Sequence, residues 1–178
     1  MRGLASGVLL MVCVSATAAD PMLTKESKAA RDYAFDSVSF KTSEAAIVRV
    51  KKKRGAIVSD KPVKPGSAIR SLHVESELEG RSYTVWLYEK QVAAIRVYYP
   101  DSDLKASGGL QKLIDRLERQ FGEGQGVEKP GILAWDFPSV TRRVTLSEFG
   151  DGEAGGVVLM VEDTERMQKA LRRSDTDK

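Results

Sequence analysis

The chain has 178 residues, 42% of them hydrophobic and 30% charged, with a formal net charge of +3. That composition belongs to folded rather than disordered chains and suits one compact domain or two small fused modules. The single cysteine, Cys13, falls in the first nineteen residues, so residues 20–178 can hold no disulfide scaffold, no thiol nucleophile and no cysteine-type zinc site.

The N-terminal stretch MRGLASGVLLMVCVSATAA reads as a secretory signal peptide, residues 1–19. Arg2 supplies a positive start, Leu4 to Val14 an apolar run, and Ala16-Thr17-Ala18 or the following Ala19 the small residues for cleavage. The run is too short to span a bilayer, and no second stretch approaches spanning length, so a chain that is not membrane-spanning is expected. Cys13 follows Leu10-Met11-Val12 rather than a small residue, which argues against a lipid-modified cysteine. Localisation is therefore expected to be periplasmic or secreted, as a single exported domain over residues 20–178. Charge is uneven along it: 20–70 holds twelve Lys/Arg against six Asp/Glu, whereas 71–178 holds fifteen against nineteen. The cationic run Arg49 to Arg54, with Lys61 and Lys64, could draw an anionic partner. It also falls at a predicted helix end, where cations complement the carbonyl dipole.

In chain order, Lys25 to Tyr33 predicts a first helix with Ala29, Ala30 and Tyr33 on one side. Val38 and Phe40 form a short apolar alternation. Thr42 or Ser43 then caps a helix from Glu44 to Arg54, with Ile47 and Val50 facing inward and Gly55 ending it. A Pro/Gly/Lys-rich loop from Ser59 to Gly66 precedes three strand-like runs, IRSLHVESE, SYTVWLY and VAAIRVYY. Turns at Gly80-Arg81 and Glu89-Lys90 make them an antiparallel meander. Next, Ser107 is expected to cap a helix whose Leu110, Leu113, Ile114, Leu117 and Phe121 recur at helical spacing, leaving Lys112, Arg116 and Arg119 wet. Gly122 stops it. A Gly-rich loop leads to GILAWDF, TRRVTL and GVVLMVE, three further strands. Asp163-Thr164 caps a final helix through Leu171 that buries Met167, Ala170 and Leu171.

This order predicts an α+β fold of two repeated α-β-β-β units, residues 36–104 and 105–173. An antiparallel sheet of about six strands results, with helices packed on one face. The segments VSFKTSEAAIVRVKKKRG and GLQKLIDRLERQFG, each followed by its meander, resemble the β-lactamase-inhibitor-protein-like architecture. A similar single module occurs in the outer-membrane assembly lipoproteins of the SmpA/OmlA type. The resemblance implies a binding or scaffolding role, with a concave sheet face as the contact surface.

Catalytic chemistry has few candidates. His73, the one histidine, alternates with Glu75, Glu77 and Glu79 as a solvent-facing strand surface does, and metal-ligand spacing is missing. A serine nucleophile lacks its Gly-x-Ser-x-Gly elbow. Asp101/Asp103 and Glu162/Asp163 are carboxylate pairs at strand ends, where such residues commonly cap turns. Neither Gly-rich stretch has the context of a phosphate loop. No cofactor, no metal and no nucleic-acid partner is expected. The strand aromatics stand out instead: Trp86, Tyr88, Tyr98 and Trp135, with Arg96 and Arg142 alternating nearby, are candidate binding residues, because Trp, Tyr and Arg dominate interface energetics. The expectation is a non-enzymatic periplasmic binding or scaffolding protein that contacts another envelope protein through a sheet face. The alternative is a carrier of an apolar ligand or lipid in a cavity between sheet and helices.

Overall fold

The computed structural model describes residues 23–53, 57–63, 67–75, 81–126, 131–150 and 155–176. Residues 1–19, expected to be a signal peptide, lie outside them, as do Gly55, Gly80 and the carboxylates Glu77 and Glu79. Helix α1 (Lys25–Arg31) starts at Thr24, whose hydroxyl accepts the Ser27 amide at 3.1 Å, and buries Ala30. A small hairpin follows, β1 (Ala34–Phe35) and β2 (Val38–Ser39), turned by Asp36 and Ser37 at φ 47° and 65°. The Tyr83 hydroxyl donates to Asp36 at 3.1 Å and anchors that turn to the main sheet. Helix α2 (Glu44–Lys53) buries Ile47.

The main sheet then begins with β3 (Ile57–Pro62), β4 (Ile69–Glu75), β5 (Ser82–Tyr88) and β6 (Gln91–Pro100). Glu89 and Lys90, at φ 49° and 64°, make the two-residue β5–β6 turn with the conformation that matches strand twist. Helices α3 (Asp101–Ala106) and α4 (Gly109–Phe121) come next, followed by β7 (Gln125–Gly126), β8 (Gly131–Phe137), β9 (Arg142–Phe149), β10 (Gly156–Asp163) and α5 (Thr164–Thr176). All neighbouring strands are antiparallel, in the order β3-β4-β5-β6-β10-β9-β8-β7.

The class is α+β with a large antiparallel sheet, as expected, but the main sheet has eight strands rather than about six. The two additional strands are its edges. β3 arises from residues read as loop because of their Pro and Lys content, and Pro62 is tolerated there because an edge strand has one side free of ladder bonds. β7 pairs for only two residues, too short to register as a pattern. Ser107 also takes another role: it closes α3, its amide donating to the Asp103 carbonyl at 2.9 Å. Gly108 and Gly109, at φ 100° and 87°, then redirect the chain into α4.

Strand alternation separates the sheet into two faces. The first carries Leu72, Val74, Val85, Ile95, Val97, Leu146 and Leu159 in one apolar core with Ala30, Ile47, Leu104, Leu113, Leu117 and Phe121 from α1 to α4. The expectation of helices on one face holds for these four. Helix α5 departs from it, because Met167 and Ala170 pack on Ile69, Tyr88, Ala93 and Ala94, which belong to the second face. Asp163 explains the crossing. Its carboxylate accepts the Arg166 amide at 3.0 Å, starting α5, and pairs with Arg142 at 2.8 Å. Arg166 in turn donates to the carbonyls of Val92 at 2.6 Å and Phe40 at 3.2 Å.

The α4 stripe gives a direct measure of this packing. Leu117 is 2% exposed, while Lys112 is on the exposed side of the helix. Leu117→Ala is expected to cost about 2–5 kcal/mol, because it removes apolar area and leaves a cavity. Lys112→Ala should stay within about 0.5 kcal/mol. Urea unfolding of both variants checks this, and equal small effects would contradict a docked α4.

Candidate functional site

The sheet register lays the second face out in cross-strand rows. One row runs Ser59, His73, Thr84, Arg96, Met160 and Thr145 across β3, β4, β5, β6, β10 and β9. The next runs Lys61, Ser71, Trp86, Ala94, Glu162, Arg143 and Asp136. Helix α5 covers one corner of this face, over Ile69 and Tyr88. Beside that corner lies a groove of about 410 Å³ lined by Ser59, Lys61, Pro62, Val63, Ser71, His73, Thr84, Trp86, Arg96 and Tyr98.

Arg96 is the centre of the groove. Its guanidinium carbon lies 5.0 Å from the Trp86 ring centroid and 5.7 Å from that of Tyr98. Cations so placed are attracted by the ring quadrupole, and more strongly where water is excluded. Both walls are held in place. Phe149 meets Tyr98 edge-on at 5.8 Å, and the Thr84 hydroxyl sits 3.2 Å from both the Tyr98 hydroxyl and His73 Nδ1. Trp86 packs partly against the Tyr88–Met167 cluster under α5. The aromatic walls and the guanidinium are therefore fixed by β4, β5, β6, β9 and α5 together.

Of the candidate binding residues, three come together here: Trp86, Arg96 and Tyr98. Tyr88 shares their face but is 8% exposed beneath α5. Trp135 and Arg142 belong to the first face. Trp135 is 4% exposed, donates its indole N–H to the Gly122 carbonyl at 2.8 Å and packs on Phe121. Gly124 must approach it closely, since a Cβ there would lie 2.8 Å from the indole. Arg142 is buried over Phe40 at 4.1 Å and paired with Asp163, while burial draws its pKa down from the ordinary arginine value. His73 stands among groove residues, beside the Thr84 hydroxyl. Asp101 and Asp103 lie in the first turn of α3, where carboxylates complement the helix dipole.

The groove also uses Ser59, Ser71 and Thr84, which sequence reasoning did not single out, and Lys61, which it grouped with the cationic run. The same alternation that grouped His73 with Glu75 places Ser71 with them. Only the pairing of β3 with β4 brings Ser59 and Lys61 alongside. A second, smaller pocket of about 110 Å³ lies between α4 and β6, with Arg81, Lys112, Arg116 and Arg119 in its wall. No family model, no curated protein and no solved structure matches the chain.

Beyond the groove, the second row ends in Glu162, Arg143 and Asp136, with Arg143 Nε 3.5 Å from Asp136. Burial raises the Glu162 pKa above its ordinary value, Asp136 adds to the rise and Arg143 opposes it. The fold thus favours protonated Glu162. That contribution is complete below the unfolded-state value and is lost as pH rises through the higher folded value. Glu162→Gln, neutral at every pH, should therefore raise the melting temperature relative to the parent chain more at about pH 7 than at about pH 4. Thermal denaturation at both pH values checks this. An equal or reversed difference would show that burial does not penalise the carboxylate.

Proposed function

We propose that this chain is a non-enzymatic envelope protein that binds another protein through the second face of its sheet, with the Trp86–Arg96–Tyr98 groove at the centre of the contact. The observation that carries the reading is the position of these three side chains. They are among the residue types that anchor protein interfaces, they are fixed from below, and they stand beside the helix-covered corner rather than under it. The pocket between α4 and β6 is about 110 Å³ with four cations in its wall, a poor match to the apolar cavities that carry lipids, so the observations favour the groove.

Two finer readings accompany this one. The chain is organised as two helix-plus-meander halves, 36–104 and 105–173. The strand order supports this, since β3-β4-β5-β6 on one side of the centre is mirrored by β10-β9-β8-β7 on the other. The β-lactamase-inhibitor-protein-like resemblance fits the same picture of a sheet presenting a contact face. The chain is also exported, supported by the sequence of residues 1–19, and cleaved near Ala18 or Ala19.

A photoreactive amino acid at Val63, exposed on the groove wall, is compared with one at Gln111, exposed on α4. In living cells the first is expected to give a discrete protein adduct that Trp86→Ala diminishes, and the second none. Adducts from Gln111 alone, or none from Val63, would contradict the sheet-face reading. Intact mass of the chain from the envelope fraction should correspond to a start near Asp20; a cytoplasmic product retaining Arg2 to Ala19 would contradict export.

A further inference from the structure

Several arginines elsewhere in the chain are matched by its own carboxylates. Arg70 pairs with Asp60 at 2.6 Å and with Glu44, Arg142 with Asp163 at 2.8 Å, Arg166 with Asp163 at 3.6 Å, and Arg173 with Glu89 at 3.2 Å. Arg96 has no such partner among the described residues. Its Nε is buried and makes no hydrogen bond, although the residue sits half-buried on the groove floor. An Nε–H held out of water without an acceptor is costly, and the cost falls when an acceptor for the guanidinium arrives. The neighbouring polar groups do not supply one, because Thr84, His73 and the Tyr98 hydroxyl contact one another.

The lining says what kind of acceptor fits. None of the described groove residues is Asp or Glu, and Lys61 adds a second positive charge at the rim. Glu75, on the same face of β4, is exposed at the strand end beyond His73. One guanidinium on the floor neutralises one negative charge, and the Trp86 and Tyr98 rings beside it favour an apolar stem over a fully hydrated ion. A carboxylate carried on methylene groups meets both demands. A free phosphate has no apolar stem for the Trp86 and Tyr98 rings to pack on.

We propose that the groove is a carboxylate-recognition site in which Arg96, held between Trp86 and Tyr98, receives an Asp or Glu side chain of the bound protein. This rests on the sheet-face reading and deepens it by naming what the face selects. Charged hydrogen bonds to guanidinium are directional and often bidentate, so the site fixes the register of the partner as well as attracting it.

The chain carries its own reporters, because its two tryptophans differ in place. Trp86 lines the groove, whereas the Trp135 indole is bonded to Gly122 in the core. The two indole signals of the ¹⁵N-labelled chain, distinguished with Trp86→Phe, are followed during titration with N-acetyl-glutamate α-methylamide. The glutamine counterpart and inorganic phosphate serve as comparisons. The Trp86 signal is expected to move saturably with the glutamate probe and at least about tenfold more weakly with glutamine. In Arg96→Gln the response should be lost while the Trp135 signal keeps its position, which reports an intact fold. Arg96→Lys should restore only part of it, since an ammonium lacks the planar fork. No movement up to about 50 mM probe, an equal response to glutamine, a response surviving in Arg96→Gln, or tighter binding of phosphate would each overturn the assignment. The Val63 adduct is read independently, so its persistence with a silent titration would reject the carboxylate site alone, whereas its absence would reject the sheet-face reading.

Discussion

Pairing between β6 and β10 is the contact on which the rest of the structure depends. Seven register pairs, from Gly156 against Pro100 to Glu162 against Ala94, join a meander of the first part of the chain to one of the second. Each strand of this seam is apolar on both faces for much of its length. Val97 and Leu159 face the helices, while Ala94, Val158 and Met160 face the other way. A strand buried on both sides belongs at the centre of a sheet, and here that rule selects the last strand of each meander. Gly156 is required at one end of the seam, because a Cβ there would come within 2.3 Å of the Tyr99 carbonyl oxygen. Once β6 and β10 are central, β3 and β7 are the edges, and the side-chain rows of the second face follow from the register.

The two faces then acquire different chemistry. Four helices close the first, so whatever lies there is core, including Trp135 and the Arg142–Asp163 pair. Among the described residues, the second is closed only at the corner beneath α5. Asp163 sits where the two meet, at the end of β10. One carboxylate both starts the helix that crosses to the second face and balances the arginine buried on the first. Arg166 extends the same node to the Phe40 and Val92 carbonyls, tying the N-terminal hairpin region to the C-terminal helix. With no disulfide available to residues 20–178, such a node does work that cross-links do in many small exported domains.

Elements with strong local signals were legible in the sequence. The α4 stripe, the Gly122 stop, the Glu89-Lys90 turn, six of the strands and the Asp163 cap all carry periodicity or turn chemistry of their own. β3 and α3 do not. β3 is recruited by pairing with β4 despite Lys61 and Pro62, and α3 is a six-residue helix that directly follows β6 and is hidden by the turn character of Pro100 and Asp101. Face membership was legible too, since period-two alternation groups Trp86 with Tyr88 and Trp135 with Phe137. What alternation cannot say is which face the helices will cover. Trp86 and Trp135 sit in similar apolar strands, and only the packing of α4 and α5 makes one a groove wall and the other a core residue.

The contrast between Arg96 and Arg142 follows from that same division. Both lie near an aromatic ring, at 5.0 Å from Trp86 and 4.1 Å from Phe40. Arg142 projects into a closed core, where folding without a counter-charge would be prohibitive, and β10 delivers Asp163 directly opposite it. Arg96 projects onto a face that water and other molecules reach, so the chain can fold with it unmatched at a lower cost. Opposite it the register places Thr84 and Met160, neither of which can neutralise it. A core must satisfy its charges from within, whereas a surface groove can leave one open for a second molecule. The position of Arg96 in the sheet, more than its identity as an arginine, is what leaves it on an accessible face with no carboxylate opposite it.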